Sequence, residues 1–184
     1  MSTFFFWGFY AILKEKWKGA ACMELTCAFS GHRPEKLPWG EDELDPRCVA
    51  LKIQMERQLR ALCREGCLRY LCGMARGTDI YFLEILGQLR EEFPIHVKAV
   101  IPCIDQTRLW PEHQRKRYLR GLDFCDSMEV LEDGYSQGCM LRRNYYMVDH
   151  ADILMTVFDG TPGGTAATVR YARARGRRIL SIWR

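Results

Sequence analysis

The sequence lacks any apolar run long enough to cross a membrane. Its longest such run, FFFWGFYAIL at residues 4–13, contains ten residues, whereas a membrane-spanning helix needs about 20. The run is followed by positive charges, whereas a signal peptide carries its positive charges before the apolar stretch. We therefore expect neither a membrane anchor nor a secretory signal. Internal repeats and low-complexity linkers are also lacking, which excludes solenoid and linker-rich architectures.

Paired cysteine motifs are missing as well. The chain has nine cysteines, an odd number, and none forms a Cys-x-x-Cys pair. Their spacing gives little support to a zinc site, and most lie inside apolar segments, as buried free thiols do in a reducing compartment. We therefore expect a cytoplasmic protein with no bound metal.

Two nucleotide-binding motifs are also missing, and the charge is nearly balanced. No Walker loop occurs, and no full Gly-x-Gly-x-x-Gly follows the first strand, which argues against an ATPase and a nicotinamide-dependent oxidoreductase. The net charge of +4, from 27 basic and 23 acidic residues, is too small to indicate nucleic-acid binding by itself. No cofactor is expected.

The first 22 residues differ in character from the rest. We expect Met23 to be the biological start, because MELTCAFSGHRP leads directly into a strand, and residues 1–22 to be a non-native or disordered extension. The alternative is an amphipathic helix that lies on a membrane surface. Residues 23–184 are then expected to form a single domain.

The remaining sequence alternates short apolar runs with helical patterns. Strands are predicted at 25–30, 68–72, 96–102, 127–132, 152–159 and 177–183, and helices between them, including 47–65 and 78–92. In the first helix, Val49, Ile53, Leu59 and Leu62 are predicted to form the buried face. This pattern predicts an α/β fold: a Rossmann-like, doubly wound sheet of about six mainly parallel strands with helices on both faces.

Three loops at the expected carboxyl ends of strands have unusual compositions, and ligands bind at this edge of such sheets. Ser30-Gly31-His32-Arg33 offers donors to an anion, and Gly73-Met74-Ala75-Arg76-Gly77-Thr78-Asp79 is a glycine-rich turn before a helix. Gly163-Gly164-Thr165 opens a helix whose unpaired N–H groups favour a phosphate. Each loop alone is commonplace, but three on one edge predict an anion site.

Other candidate residues have simpler explanations. Four aromatic residues are of a type that stacks on a base, although packing is the expected role of each: Trp39, Trp110, Tyr145 and Tyr146. His96, His113 and His150 are expected to be structural or solvated. The basic run Arg115-Lys116-Arg117 with Arg120 is expected to be a solvated helix face, although it leaves single-stranded DNA binding open.

In these loops the chain resembles the YpsA-like family of the SLOG superfamily. This superfamily groups Smf/DprA with the LOG phosphoribohydrolases. TCAFSGHRPEKLPWG is the most specific stretch, and GMARGTDIYFLE is similar to the Gly-x-Ala-x-Gly-x-Asp segment of the family. The resemblance covers residue 24 to the C-terminus. It implies a nucleotide or nucleotide-derived ligand and homo-oligomers, for which LWPEHQRKRYL is a candidate interface.

The LOG enzymes carry a Met-His-Glu-Arg-Lys helix followed by Pro-Gly-Gly-x-Gly-Thr-x-x-Glu. MLRRNYYMVDHADILMTV is similar to the first part, with Arg143 in the arginine position, and PGGTAATV is similar to a shortened second part. This matching puts Thr168 where those enzymes carry a catalytic glutamate. Threonine cannot act as a base near pH 7 or supply negative charge to an oxocarbenium-like state. Asp79, Asp159 or Glu35 remain candidates to replace it.

The leading hypothesis is therefore a binding or sensing protein for a nucleotide-like ligand, without strong catalysis. The alternative is a nucleotide N-glycosidase with Asp79 and Arg143 as catalytic candidates, and a second alternative is single-stranded DNA binding as in DprA, although nucleic acid is not the expected partner. The predicted ligand-binding residues are Ser30, Gly31, His32, Arg33, Gly73, Arg76, Gly77, Thr78, Asp79, Arg143, Gly163, Gly164 and Thr165.

Overall fold

The computed structural model describes residues 25–183, so the expectation for residues 1–22 lies outside the described range. Six strands form one parallel sheet in the order β4-β3-β2-β1-β5-β6. The strands are β1 (Leu25–Gly31), β2 (Cys67–Cys72), β3 (His96–Ile101), β4 (Ser127–Val130), β5 (Ile153–Val157) and β6 (Arg178–Trp183). The predicted α/β class and strand count are confirmed, with strand ends shifted by one or two residues.

Five helices connect the strands: α1 (Pro46–Arg64), α2 (Thr78–Leu89), α3 (Glu112–Asp123), α4 (Cys139–Asp149) and α5 (Gly164–Ala174). Short 3-10 turns cover Pro34–Lys36 and Ile104–Thr107. Helix α1 begins where the sequence favours it: Asp45 accepts a hydrogen bond from the Arg47 N–H at 2.8 Å, and Pro46 occupies the first helical position.

The two faces of the sheet are covered by different helices, because successive strand residues point to opposite sides. In β1, Cys27 and Phe29 belong to the core cluster that contains α1 and α2 residues, whereas Ala28 packs with Met147 of α4 and Val169 of α5. The sheet is therefore buried on both faces, as parallel sheets are.

The predicted buried face of α1 was partly wrong. Leu59 and Leu62 are buried, but Val49 and Ile53 are 43% and 47% exposed. The buried stripe consists instead of Cys48, Leu51, Met55, Leu59, Leu62 and Cys63. These positions repeat at three- and four-residue intervals, so a cysteine and a methionine occupy core positions that the sequence analysis gave to valine and isoleucine.

Strand order reverses at β1. The chain runs outward from β1 through β2 and β3 to β4, and then returns to β5 on the other side of β1, where Gly31 lies opposite Val157. Connections on the two sides of this point cover opposite faces, which leaves a crevice at the carboxyl ends of β1 and β5.

Three further observations concern the range 25–183. No helix in it combines the length and the apolar character that crossing a bilayer requires. No group of three or more His, Cys, Asp or Glu side chains in it is arranged to hold a metal ion. Its eight cysteines are free thiols, of which all but Cys125 are buried.

Candidate functional site

A cavity of about 550 Å³ opens at the carboxyl ends of β1 and β5, where the strand order reverses. Its wall comes from the β1 loop, the segment before α2, the starts of α4 and α5, and the loop before α4. The lining residues are Phe29, Ser30, Gly31, His32, Arg33, Glu35, Lys36, Ala75, Asp79, Tyr135, Gly138, Cys139, Met140, Leu141, Arg143, Asn144, Gly163, Gly164, Thr165 and Ala167.

Helix α5 begins at this cavity. Gly163 has φ 155° and ψ −167°, a backbone conformation that is essentially restricted to glycine, and it is followed by the exposed Gly164. The Thr165 hydroxyl donates to the Gly31 carbonyl at 3.3 Å, and Lys36 Nζ donates to the Pro162 carbonyl at 2.7 Å. The start of the helix is therefore joined to the β1 loop, with its positive dipole end and a lysine at the cavity wall.

The β1 loop contributes one exposed arginine and one buried histidine. Arg33 is exposed, whereas His32 is only 2% exposed and its Nε2 lies 2.8 Å from Asp159 Oδ1. The Thr161 backbone N–H and hydroxyl, and then His32, hold the pKa of Asp159 well below its usual range. His32 thus ties the β1 loop to the β5 loop, and its Nε2 is occupied, whereas Arg33 remains accessible to an anion.

Asp79 and Arg143 lie together against the inner wall. Asp79 is 4% exposed and accepts a hydrogen bond from the Ala75 N–H at 3.1 Å. Burial raises the pKa of Asp79 to about 6, although the charge of Arg143 acts in the opposite direction. Such a carboxyl group changes charge near neutral pH, as acid–base catalysts do.

Arg143 is 3% exposed, and burial lowers the pKa of its guanidinium. Its Nη1 donates to the carbonyls of Gly73 and Val100, and its Nε donates to Asn144 Oδ1 at 2.9 Å. A Cβ at position 73 would lie 1.8 Å from Nη1, so the glycine leaves the space that the guanidinium fills.

Nine of the thirteen predicted ligand-binding residues line the cavity, and Gly73, Arg76, Gly77 and Thr78 do not. Thr78 is fully buried and its hydroxyl donates to the His32 carbonyl at 3.0 Å. Gly77 has φ 85°, and a Cβ there would lie 2.9 Å from the same carbonyl oxygen. Arg76 pairs with Glu35 and lies over the Trp110 ring. These four residues contact residues of the cavity wall without lining the cavity themselves.

Comparison with known proteins agrees with this architecture. The sequence profile described as the YspA SLOG family, YpsA, matches residues 27–177. The chain belongs to this family.

Individual relatives are bacterial proteins. Over 144 residues the chain is 28% identical to the SPbeta prophage-derived protein YoqJ of Bacillus subtilis. The match covers 70% of this chain and 84% of YoqJ. It is 29% identical over 131 residues to a UPF0398 protein of Halalkalibacterium halodurans, with 68% of each covered.

Solved structures of DNA processing protein A (DprA) share the fold of this YpsA-family chain. The Helicobacter pylori protein, described with its mode of single-stranded DNA binding, has a TM-score of 0.57 and 17% identity. The Streptococcus pneumoniae protein has a TM-score of 0.58 and 16% identity. The matches cover 86% and 85% of this chain but only 65% and 50% of those chains.

In this YpsA-family chain, Thr168 is fully buried and does not line the cavity. Its hydroxyl donates to the Gly164 carbonyl at 2.8 Å and accepts from Asn144 Nδ2 at 2.9 Å. Of the three carboxylates considered as replacements for a catalytic glutamate, Asp79 and Glu35 line the cavity, whereas Asp159 is held by Thr161 and His32.

The four aromatic residues considered as base-stacking candidates are engaged elsewhere. Trp39 contacts Trp183, Trp110 contacts Tyr118, Tyr145 stacks on Tyr171, and Tyr146 stacks on His150. None of the four lines the cavity.

Sequence reasoning missed the wall formed by Tyr135 and the first turn of α4. The YSQG stretch before that helix has the composition of a loop, which could have indicated a loop at this place. The loop follows β4, however, and β4 is three places from β1 in the sheet, so nothing in the sequence indicated that this loop lies at the cavity. Only the packing of α4 beside α5 brings this loop to the crevice.

Proposed function

We propose that this protein binds a nucleotide-like, phosphate-bearing small molecule in the cavity at the strand-order reversal, and that it holds the ligand without strong catalysis. The observation that carries the proposal is the exposed Gly163-Gly164-Thr165 turn at the start of α5, which faces a cavity also lined by Arg33 and Lys36. A helix N-terminus with nearby cations favours phosphate through unpaired N–H groups and positive charge.

The cavity suits a small molecule. A volume of about 550 Å³ falls within the range of roughly 300–1,000 Å³ for ligand sites. One part of the wall is polar and positively charged, with the glycine-rich turn and the cations, and another part is apolar, with the half-buried Met140 and Leu141 of α4. A ligand with a charged end and a less polar end matches this arrangement.

The absence of a carboxylate at position 168 favours binding over cleavage. Thr168 is buried and fully engaged in hydrogen bonds, so it offers the ligand neither charge nor a proton acceptor. Asp79 is the observation that supports the alternative, a nucleotide N-glycosidase, because its pKa is raised to about 6 inside the cavity. The charge of the neighbouring Arg143 favours the ionised form of Asp79, an arrangement that also fits a purely structural role.

Calorimetry with a panel of nucleoside monophosphates, diphosphates, dinucleotides and cyclic nucleotides tests the proposal. Gly164→Ala is the informative variant, because Gly164 lines the cavity and a Cβ there meets no heavy atom within 4 Å, so the variant should fold while adding a methyl group to the proposed phosphate turn. Gly134→Ala is the matched control, since its Cβ makes only an ordinary 3.9 Å contact. We expect weaker binding only in Gly164→Ala. Absence of binding by every compound at millimolar concentration would refute the proposal.

Incubation with the same nucleotides, followed by chromatography, separates binding from hydrolysis. Release of free base that is lost in Asp79→Asn would establish the glycosidase instead. Unchanged nucleotide after saturating binding would support a binding protein.

Single-stranded DNA binding is the second alternative, suggested by the fold shared with DprA. The basic helix α3 gives it little support: Arg117 pairs with Glu43 and Glu84, and Lys116 pairs with Glu112. Fluorescence anisotropy with a labelled oligonucleotide distinguishes the cases. Affinity that falls steeply with salt, and further in Arg115→Gln, would favour DNA binding.

A further inference from the structure

The cavity wall formed by the loop before α4 carries an aromatic side chain to which the proposed function gives no role. Tyr135 lines the cavity and is 66% exposed. The other aromatic lining residue with a six-membered ring, Phe29, is fully buried and stacks on Phe82 with ring centroids 4.5 Å apart. Among the described lining residues, Tyr135 is therefore the one with a ring face open to a ligand.

The loop that carries Tyr135 is held in place on both sides of the ring. Arg142 Nε donates to Glu132 Oε1 at 2.9 Å, and its Nη1 donates to the Gln137 carbonyl at 2.8 Å. The Ser136 hydroxyl also donates to Glu132, and these contacts hold the pKa of that carboxyl group below its usual range. A ring held on a fixed loop loses less conformational freedom on binding, which favours its use as a contact surface.

The surroundings of Tyr135 suit an aromatic ring of a ligand. Met140 and Leu141, in the first turn of α4, line the same wall and are half-buried. Asn144 lies one turn further along the same wall, where its amide accepts from Arg143 Nε and donates to Thr168 Oγ1. Nucleobases bind to such surfaces by stacking on an aromatic ring, with hydrogen bonds at the edge of the base.

We propose that Tyr135 stacks on the planar base of the ligand while the α5 turn holds its phosphate. The inference rests on the proposed function and extends it, since it assigns the two ends of the ligand to two separate parts of the cavity wall. It identifies the ligand class as one with a purine or pyrimidine ring, rather than a sugar phosphate alone.

The test compares probes with and without a base. Calorimetry is carried out with AMP, GMP, CMP and UMP, and with ribose 5-phosphate, on the full chain and on Tyr135→Ala and Tyr135→Phe. The control is Leu109→Ala, because Leu109 is 87% exposed and lies outside the cavity. Circular dichroism verifies that each variant is folded.

We expect at least one of the nucleotides to bind more tightly than ribose 5-phosphate. Tyr135→Ala should weaken that nucleotide about 10-fold, or about 1.4 kcal/mol, and leave ribose 5-phosphate unchanged, while Tyr135→Phe and Leu109→Ala retain wild-type affinity. Equal nucleotide affinity in wild type and Tyr135→Ala overturns this inference and leaves the phosphate site standing. Failure of these five probes and of the diphosphates, dinucleotides and cyclic nucleotides to bind the wild-type chain overturns the proposed function and the inference together.

Discussion

Replacing Asp79 by asparagine should remove part of the pH dependence of the protein's folding. The carboxyl group is 4% exposed. The groups that face it are the guanidinium groups of Arg143 and Arg33, the backbone N–H groups of Ala75 and Gly31, and the thiol of Cys72. Burial outweighs the combined effect of the two arginines and the two backbone N–H groups, which favour the ionised form, so the folded protein binds the proton more tightly than the unfolded chain does.

The magnitude follows from the two pKa values. A change from 3.8 in the unfolded chain to about 6 in the folded protein corresponds to about 3 kcal/mol. Because the folded pKa is the higher one, this stability is fully present below pH 3.8 and is lost as the pH rises through about 6. Asparagine does not titrate, so the free energy of unfolding of Asp79→Asn relative to wild type should rise by about 3 kcal/mol between pH 4 and pH 7.

Urea denaturation at intervals from pH 4 to pH 8 measures this difference. The comparison uses the pH dependence rather than the absolute stability, because the variant also removes the charge that faces Arg143. Asp133→Asn, at an exposed position, controls for the loss of one negative charge and should follow the wild-type curve. Parallel curves for wild type and Asp79→Asn would show that Asp79 does not titrate near pH 6, and would remove the support that Asp79 gives to acid–base catalysis.

Three further predictions concern residues that lie near the cavity without lining it. Gly73→Ala should displace Arg143, since its Cβ would lie 1.8 Å from Nη1; we expect a lower melting temperature and weaker nucleotide binding, and unchanged values of both would contradict the packing. Thr168→Glu should destabilise the fold by several kcal/mol, because it buries an unpaired carboxylate, and should not create base-releasing activity; a stable, active variant would show that position 168 faces the ligand. Asp159→Ala should cost more stability at pH 7 than at pH 3, because over this range the carboxyl group takes up a proton in the unfolded chain while its lowered pKa keeps it ionised in the folded protein; equal losses in urea denaturation at both pH values would argue against its hydrogen bonds with Thr161 and His32.

Local sequence information was sufficient to predict the strands and helices and many of the residues at the edge of the crevice. Apolar runs bounded by glycine and polar loops located all six strands, because parallel strands buried on both faces are apolar along their whole length. The same reasoning failed for α1, where Val49 and Ile53 are exposed although they are more apolar than the average residue. The face of a helix that becomes buried depends on where the sheet lies. When two overlapping faces of a helix both carry apolar residues at helical spacing, the spacing alone does not show which face is buried.

The sequence by itself determined the doubly wound fold, the edge of the sheet at which the crevice lies, and the glycine-rich turn at Gly163, because these depend on local periodicity and on a backbone conformation that is essentially restricted to glycine. The tertiary structure alone decided how the side chains at that edge are used. It engaged His32 with Asp159, buried Thr168, and brought Tyr135 to the cavity from a loop that follows an edge strand. Burial and partner choice arise between residues far apart in the chain, so they become visible only when the helices have packed on the sheet.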